Sequence, residues 1–340
     1  MENKEDLKKV VDQAIAEQQV PHVKLNKMGP SSVDIDKLTK PSKETHQEYW
    51  GKGLTYFAIG LIIVLVVSII GFVGYHGLAT FVSDHVNVFH FLTSTDWDPG
   101  EGKNHVGAAV MIVTSFAVTL LAALIATPFA IAIALFMTEY SSKKGADFLQ
   151  SVTELLVGIP SVVYGFLGLT IIVPAIRNLF GGTGFGILAA TLVLFVMVLP
   201  TITSLTVDSL KAVPSHFRKA SMALGATHWQ TIYHVVLRVA TPRILTAVIF
   251  GMARAFGEAL AVQMVIGNAV LMPYNLVSPS ATLTSQLTSQ MGNTVMGTLP
   301  NNALWSLALL LLIMSLVFNF LVKLVGKRGQ KVEWTRKKER

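Results

Sequence analysis

The sequence predicts an all-α membrane protein with about six spanning helices, and three observations carry that expectation. Over 340 residues, 52% are hydrophobic and only 14% charged, a balance unsuited to a water-facing surface of that size. The apolar residues gather into six runs, each long enough for a hydrocarbon core about 30 Å thick, which takes roughly 20 residues per helix. Lys and Arg crowd before the first run, into the second and fourth connections and after the last, with one or none in the other connections. Short loops rich in these residues stay on the cytoplasmic side, so both termini are expected there.

The first 48 residues are expected to form a cytoplasmic extension ahead of the membrane domain. Leu7, Val10, Val11, Ala14 and Ile15 repeat at helical spacing on a charged background, which predicts a short amphipathic helix, either solvated or lying on the membrane, or docking on a specific partner. Pro21, Pro30 and Pro41 mark the following stretch as linker. The membrane domain covers 49–326, with spans expected at 54–79, 107–137, 148–176, 186–208, 243–270 and 303–325. A single segment in lipid must satisfy its own backbone hydrogen bonds, so all six are read as helices. The first run is too long for a cleavable signal and is expected to remain in the mature protein. A basic tail, 327–340, closes the chain.

Two outward connections differ from the rest. One holds Thr95-Asp96-Trp97-Asp98-Pro99-Gly100, a turn-forming cluster with an interfacial aromatic. The other, about 271–302, has no charged residue. Its Ser-, Thr- and Gln-rich run from Ser278 to Asn293 fits a surface touching another protein and fits a plain polar loop equally well. Pro128, Pro160 and Pro200 fall near mid-depth of their spans. Each bends its helix, as is common around a pathway and is also tolerated generally in membrane helices.

The sharpest functional signal is in the fifth span. Arg254 and Glu258 fall near its midpoint, where each charge costs on the order of 3 kcal/mol on insertion scales. At i and i+4 they can pair, as a structural ion pair or as a site where Arg254 offers a cation to an anionic solute and Glu258 orients it. Ala247, Gly251, Ala255 and Ala259 repeat every four residues, with Ala253, Gly257 and Ala261 as a second row. Such small residues let helices approach closely.

The fourth connection, about 210–241, is patterned as two short helices around Gly225. Pro214-Ser215 opens the first, and Thr227-His228-Trp229-Gln230 matches the Thr-x-x-Gln capping box that would open the second. Such an elbow either lies on the membrane surface or is gripped by a soluble partner. The positive net charge of +7 follows from the loop bias and points to anionic lipid, not to nucleic acid. Without cysteine there is no disulfide or thiolate metal site, and nine scattered histidines do not pair as zinc ligands, so no metal is expected. No Gly-x-x-x-x-Gly-Lys-Ser/Thr cradle for ATP occurs, nor a Gly-x-Ser-x-Gly or His-Glu-x-x-His arrangement. The chain is thus expected to be no enzyme and to bind no cofactor.

The elbow resembles the cytoplasmic loop of bacterial ABC importer permeases, Glu-Ala-Ala-x3-Gly-x9-Ile-x-Leu-Pro. Here Lys219-Ala220-Ser221, Gly225, Val235, Leu237 and Arg238 align, with the leading Glu and final Pro replaced. The resemblance implies that Lys219, Ala220, Ser221, Gly225, Ala226 and Trp229 couple the chain to an ATPase subunit. Gly158 to Gly168, Arg254 to Val262 with Gly267-Asn268, and the Thr95 to Pro99 turn look like one branch, the phosphate-specific permeases of the PstC type. The usual Thr after the Gly-Glu pair is Ala259. The resemblance implies a type I importer permease fold and a heterodimeric pore with a PstA-like permease. It further implies two PstB-like ATPase subunits carrying ATP and Mg, and a PstS-like extracytoplasmic phosphate-binding protein. Arg254 and Glu258 would then serve phosphate passage. A permease for another oxyanion and an ion-coupled secondary transporter are the alternatives.

Overall fold

A computed structural model describes the backbone of residues 43–338 and the side chains of residues 50–324. The expected N-terminal amphipathic helix lies outside the described residues, as do the side chains of the basic tail. The chain divides into two units, Met1–Leu65 and Val66–Arg340. The described part of the first is the beginning of α1 (Lys43–Val82); the bundle described below belongs to the second.

Among the described residues, six helical segments are long and apolar enough to cross a membrane: Trp50–Val82, Ala109–Tyr140, Ser161–Phe180, Ile187–Lys211, His228–Phe256 and Leu299–Leu324. Among the described residues there are no strands, only two isolated bridges, Trp97 with Val106 and Gly267 with Ser280. The outer connection after α1 carries α2 (Val88–Thr93), capped by the Asn87 side chain. Beyond it the Asp96 carboxylate meets His105. That hydrogen bond raises the imidazole pKa above its ordinary 6.5, because the carboxylate favours the charged ring.

The second span is α3 (Ala109–Leu135), closed by a π-helical stretch, Phe136–Tyr140. Ala122, Ala126, Ala130 and Ala134 form a buried stripe along it. The fourth span, α7 (Ile187–Lys211), is the most enclosed of the six. Val193, Leu194, Met197, Val198 and Ile202 of α7 join Ala122, Ala126 and Ala130 of α3 in one core cluster. Without a hydrophobic drive between helices in lipid, such close packing of small against branched side chains holds the bundle. By contrast the apolar residues of α1 are largely exposed, as lipid-facing residues are. At the outer end of α1, Ser306 of α13 (Leu299–Lys338) donates to the Gly77 carbonyl at 2.7 Å.

Two expected spans are not continuous. Residues 148–176 do not form one helix. An amphipathic helix α4 (Lys143–Gly158) ends at Ile159, and the span proper is α5 (Ser161–Leu167), a π stretch Gly168–Ile172, and α6 (Val173–Phe180). The cause is Pro160, which lacks an N–H and drives Ile159 into the extended region. Pro160 therefore precedes the spanning helix and is not a mid-depth kink. Pro128 and Pro200 do lie inside α3 and α7.

The fifth span starts earlier than expected and stops sooner. It runs from α9 (His228–Thr231) through a π stretch, Ile232–Val236, into α10 (Leu237–Phe256). Gly257-Glu258-Ala259 is not helical, and α11 (Leu260–Ile266) follows. Between these spans the elbow is as its sequence reads. Helix α8 (Ser215–Ala223) follows Pro214, Gly225 turns at φ 87°, and Thr227 and Gln230 form the capping box of α9.

Candidate functional site

The break in the fifth span places Arg254 in the last turn of α10, where unpaired carbonyls and the helix dipole favour a cation. Its Nη1 donates to Thr201 Oγ1 at 2.7 Å. Thr201 is buried and stands close to the middle of α7 (Ile187–Lys211), so the guanidinium is held at mid-bundle level by protein, half-buried. Glu258 does not pair with it. No ion pair joins the two among the described residues, because the helix ends before Glu258 and the i, i+4 geometry is lost. Instead Glu258 Oε1 accepts the Ala261 N–H at 3.3 Å, in the first turn of α11. An acceptor with negative charge is favoured there. The two charges thus flank the break, Arg254 at the end of α10 and Glu258 at the start of α11, and irregular backbone of this kind is tolerated at membrane depth where it is covered by protein or lines a cavity.

A third element completes the break, and the sequence did not reveal it. The outer run Ser278–Asn293 is neither an exposed docking surface nor a plain loop at its start: Ser280, Thr282, Thr284, Ser285 and Gln286 are buried. Helix α12 (Leu283–Gln290) begins at a Thr282–Ser285 capping box. Thr284 Oγ1 donates to the freed Glu258 carbonyl at 2.8 Å. Ser280 and Thr114 share a hydrogen bond of 2.8 Å, and Ser115 Oγ accepts from the Leu283 N–H at 3.0 Å. Hydroxyls in this pattern satisfy backbone that a broken helix exposes. The run of hydroxyl residues was visible in the sequence; its distant partners were not.

The small-residue row behaves differently along its length. Ala247, Gly251 and Ala255 are buried. A Cβ on Gly251 would lie 2.6 Å from the Ile202 side chain and 3.0 Å from that of Val198, so α10 meets α7 closely beside Arg254. The row ends there, since Ala259 is half-buried in the break and Gly257 is exposed. Opposite the break, Gly165 and Gly168 of the third span leave room for α11 and α7. A Cβ on Gly165 would reach the Ala261 Cα at 2.8 Å, and one on Gly168 the Val193 side chain at 2.4 Å.

On the elbow, Lys219, Ala220, Gly225 and Trp229 are exposed, while Ser221 and Ala226 are half-buried. Ser221 Oγ meets Thr231 Oγ1 at 3.0 Å and so ties α8 to α9. Trp229 stacks on Tyr233 with centroids 6.4 Å apart. A further residue, Glu139, went unnoticed in the sequence. It bridges to Arg218 of α8 at 2.8 Å with a side chain only 7% exposed. An isolated acid beside Lys143 and Lys144, facing an elbow that has no acid of its own, was the available signal. No group of three or more metal-binding side chains occurs among the described residues.

Residues 126–331 match the family described as the binding-protein-dependent transport system inner membrane component. The probable ABC transporter permease protein YqgH of Bacillus subtilis (strain 168) is 49% identical over 269 residues, covering 79% of this chain and 87% of that one. The phosphate transport system permease protein PstC of Pasteurella multocida (strain Pm70) is 31% identical over 300 residues, covering 82% and 91%. Among solved structures, a bacterial alginate ABC transporter superposes with TM-score 0.57 at 12% identity, covering 85% of this chain and 97% of that one. The MetNI methionine ABC transporter gives 0.51 at 19% identity, covering 65% and 97%. The chain belongs to the binding-protein-dependent inner membrane component family and is a multi-pass permease subunit of an ABC transporter.

Proposed function

We propose that this chain forms half of the translocation pathway of an ATP-driven importer of inorganic phosphate. A PstA-like permease would supply the other half, a PstS-like protein would deliver the anion, and two PstB-like subunits would bind Mg-ATP and hydrolyse it. The chain itself would hold no cofactor and catalyse no reaction. One observation carries the reading: a guanidinium fixed by Thr201 at the break of the fifth span, without a carboxylate partner among the described residues. A cation in this setting keeps hydrogen-bonding capacity for a phosphate oxygen, and Arg presents a planar fork suited to it. The likeness to PstC proteins, 31% identical in Pasteurella multocida, supports phosphate as the solute. ATP binding would draw the ATPase subunits together, carry the elbow with them and rock the spans.

The test is phosphate uptake by proteoliposomes holding the complete transporter. Arg254→Gln should lower uptake roughly ten- to hundredfold, since hydrogen bonds to a charged group contribute about 1.5–3 kcal/mol, while the subunits still assemble. Unchanged uptake would remove Arg254 from the pathway. Import of a different oxyanion in preference to phosphate would sink the solute assignment, and uptake without the ATPase subunits would point to an ion-coupled carrier.

A further inference from the structure

We propose that Glu139 is a positioning residue that locks the elbow to the second span, so that displacement of one is displacement of the other. The inference rests on the reading of the elbow as the part an ATPase subunit moves. Glu139 sits in the π stretch Phe136–Tyr140 that closes α3, and π-helical turns tend to occur at functional sites. One carboxylate oxygen accepts from Arg218 Nη2 at 2.8 Å; the other stands 3.8 Å from His228 Nε2. Arg218 belongs to the first elbow helix and His228 opens the second. Arg218 also donates to the carbonyls of Val213 at 2.9 Å and Leu210 at 3.2 Å, at the end of α7. The His228 ring meets the Tyr140 ring edge to face at 5.6 Å.

The Glu139 carboxylate therefore joins the second span to both helices of the elbow, and Arg218 carries the tie on to the end of the fourth. Apolar side chains crowd the same level, including Met137, Val207, Leu210 and Val213. They pack in many registers, whereas a buried charge pair is satisfied in one, and specifying register is the best-attested use of such pairs. With the tie in place a push on α8 or α9 reaches α3 directly. Without it the elbow swings at its joins to the fourth and fifth spans while the second span lags.

The chain has no cysteine, so spin labels can be placed uniquely. Labels at L124C on α3 and L224C on the elbow, both at exposed positions, report the distance between them in the complete transporter with and without ATP and vanadate. In the parent that distance should be the same in both states. In Glu139→Gln it should shift or broaden on ATP binding, and the number of ATP molecules hydrolysed per solute moved should rise about tenfold. A loss of fold would lower hydrolysis and transport together and leave that ratio alone. Arg218→Lys, which keeps the charge but loses the fork to Val213 and Leu210, should act in the same direction and decides the matter if the Gln variant fails to assemble. Parent-like distances in the assembled variants overturn the proposal. Failure of the parent to import phosphate would sink only the solute assignment, because the label distances need no solute.

Discussion

At the scale of single residues, the site depends on which partner holds Arg254. A guanidinium facing lipid would be costly, and here the cost is met by a hydroxyl across the bundle and by the end of its own helix, with no counter-charge among the described residues. Thr201 thus has a definite job, and its replacement separates positioning from charge. Thr201→Val keeps shape and removes the acceptor; Thr201→Ser keeps the acceptor. Uptake should fall about tenfold in the Val variant, which corresponds to about 1.4 kcal/mol, and stay near the parent level in the Ser variant. Equal uptake in both would mean that Arg254 needs no anchor. Arg254 itself was legible in the sequence, as a charge in an apolar run. Thr201 was not, because its part in the site comes from a contact between residues 53 positions apart, and nothing local distinguishes it from Thr203 or Thr206.

At the scale of elements, six spans could be read from hydropathy, whereas their interruptions could only partly be read. Pro160 is visible and marks the end of α4, since proline restricts the residue before it as well as itself. The break at Gly257 had no such marker: the chain leaves the helix there because α12 supplies a hydroxyl to the Glu258 carbonyl and Glu258 itself caps α11. Small residues show the same division. Gly158 and Gly165 look alike in the sequence, but a Cβ would meet nothing within 4 Å at the first and would press on the Ala261 backbone at 2.8 Å at the second. Gly165→Ala should therefore destabilise the permease by about 1–3 kcal/mol through overpacking. Gly158→Ala should stay within about 0.5 kcal/mol. Thermal unfolding of the two variants in detergent checks this, and equal midpoints would show that the third span and α11 do not pack as closely as described.

At the scale of the whole molecule, the Thr227–Gln230 capping box marked the elbow because it is a local feature of the chain. What the elbow touches inside the permease was hidden, since Glu139 and Arg218 lie 79 positions apart. The elbow acts as a lever only if its two short helices keep a fixed angle, and that angle is set at Gly225. There φ is 87° and a Cβ would meet nothing within 4 Å, so any penalty for another residue is conformational and not steric crowding by neighbours. A β-branched residue is strongly disfavoured in that region, whereas Asn visits the left-handed region with little strain. Gly225→Val should therefore re-aim α9 and its exposed Trp229, cutting recovery of the ATPase subunits with the purified permease to about half or less, with each left-handed residue costing roughly 1–2 kcal/mol. Gly225→Asn, which adds comparable bulk, should recover them at the parent level. Bulk and conformation are separated by that pair, and if both variants retained the ATPase equally, the angle at Gly225 would have no part in joining the membrane domain to its motor.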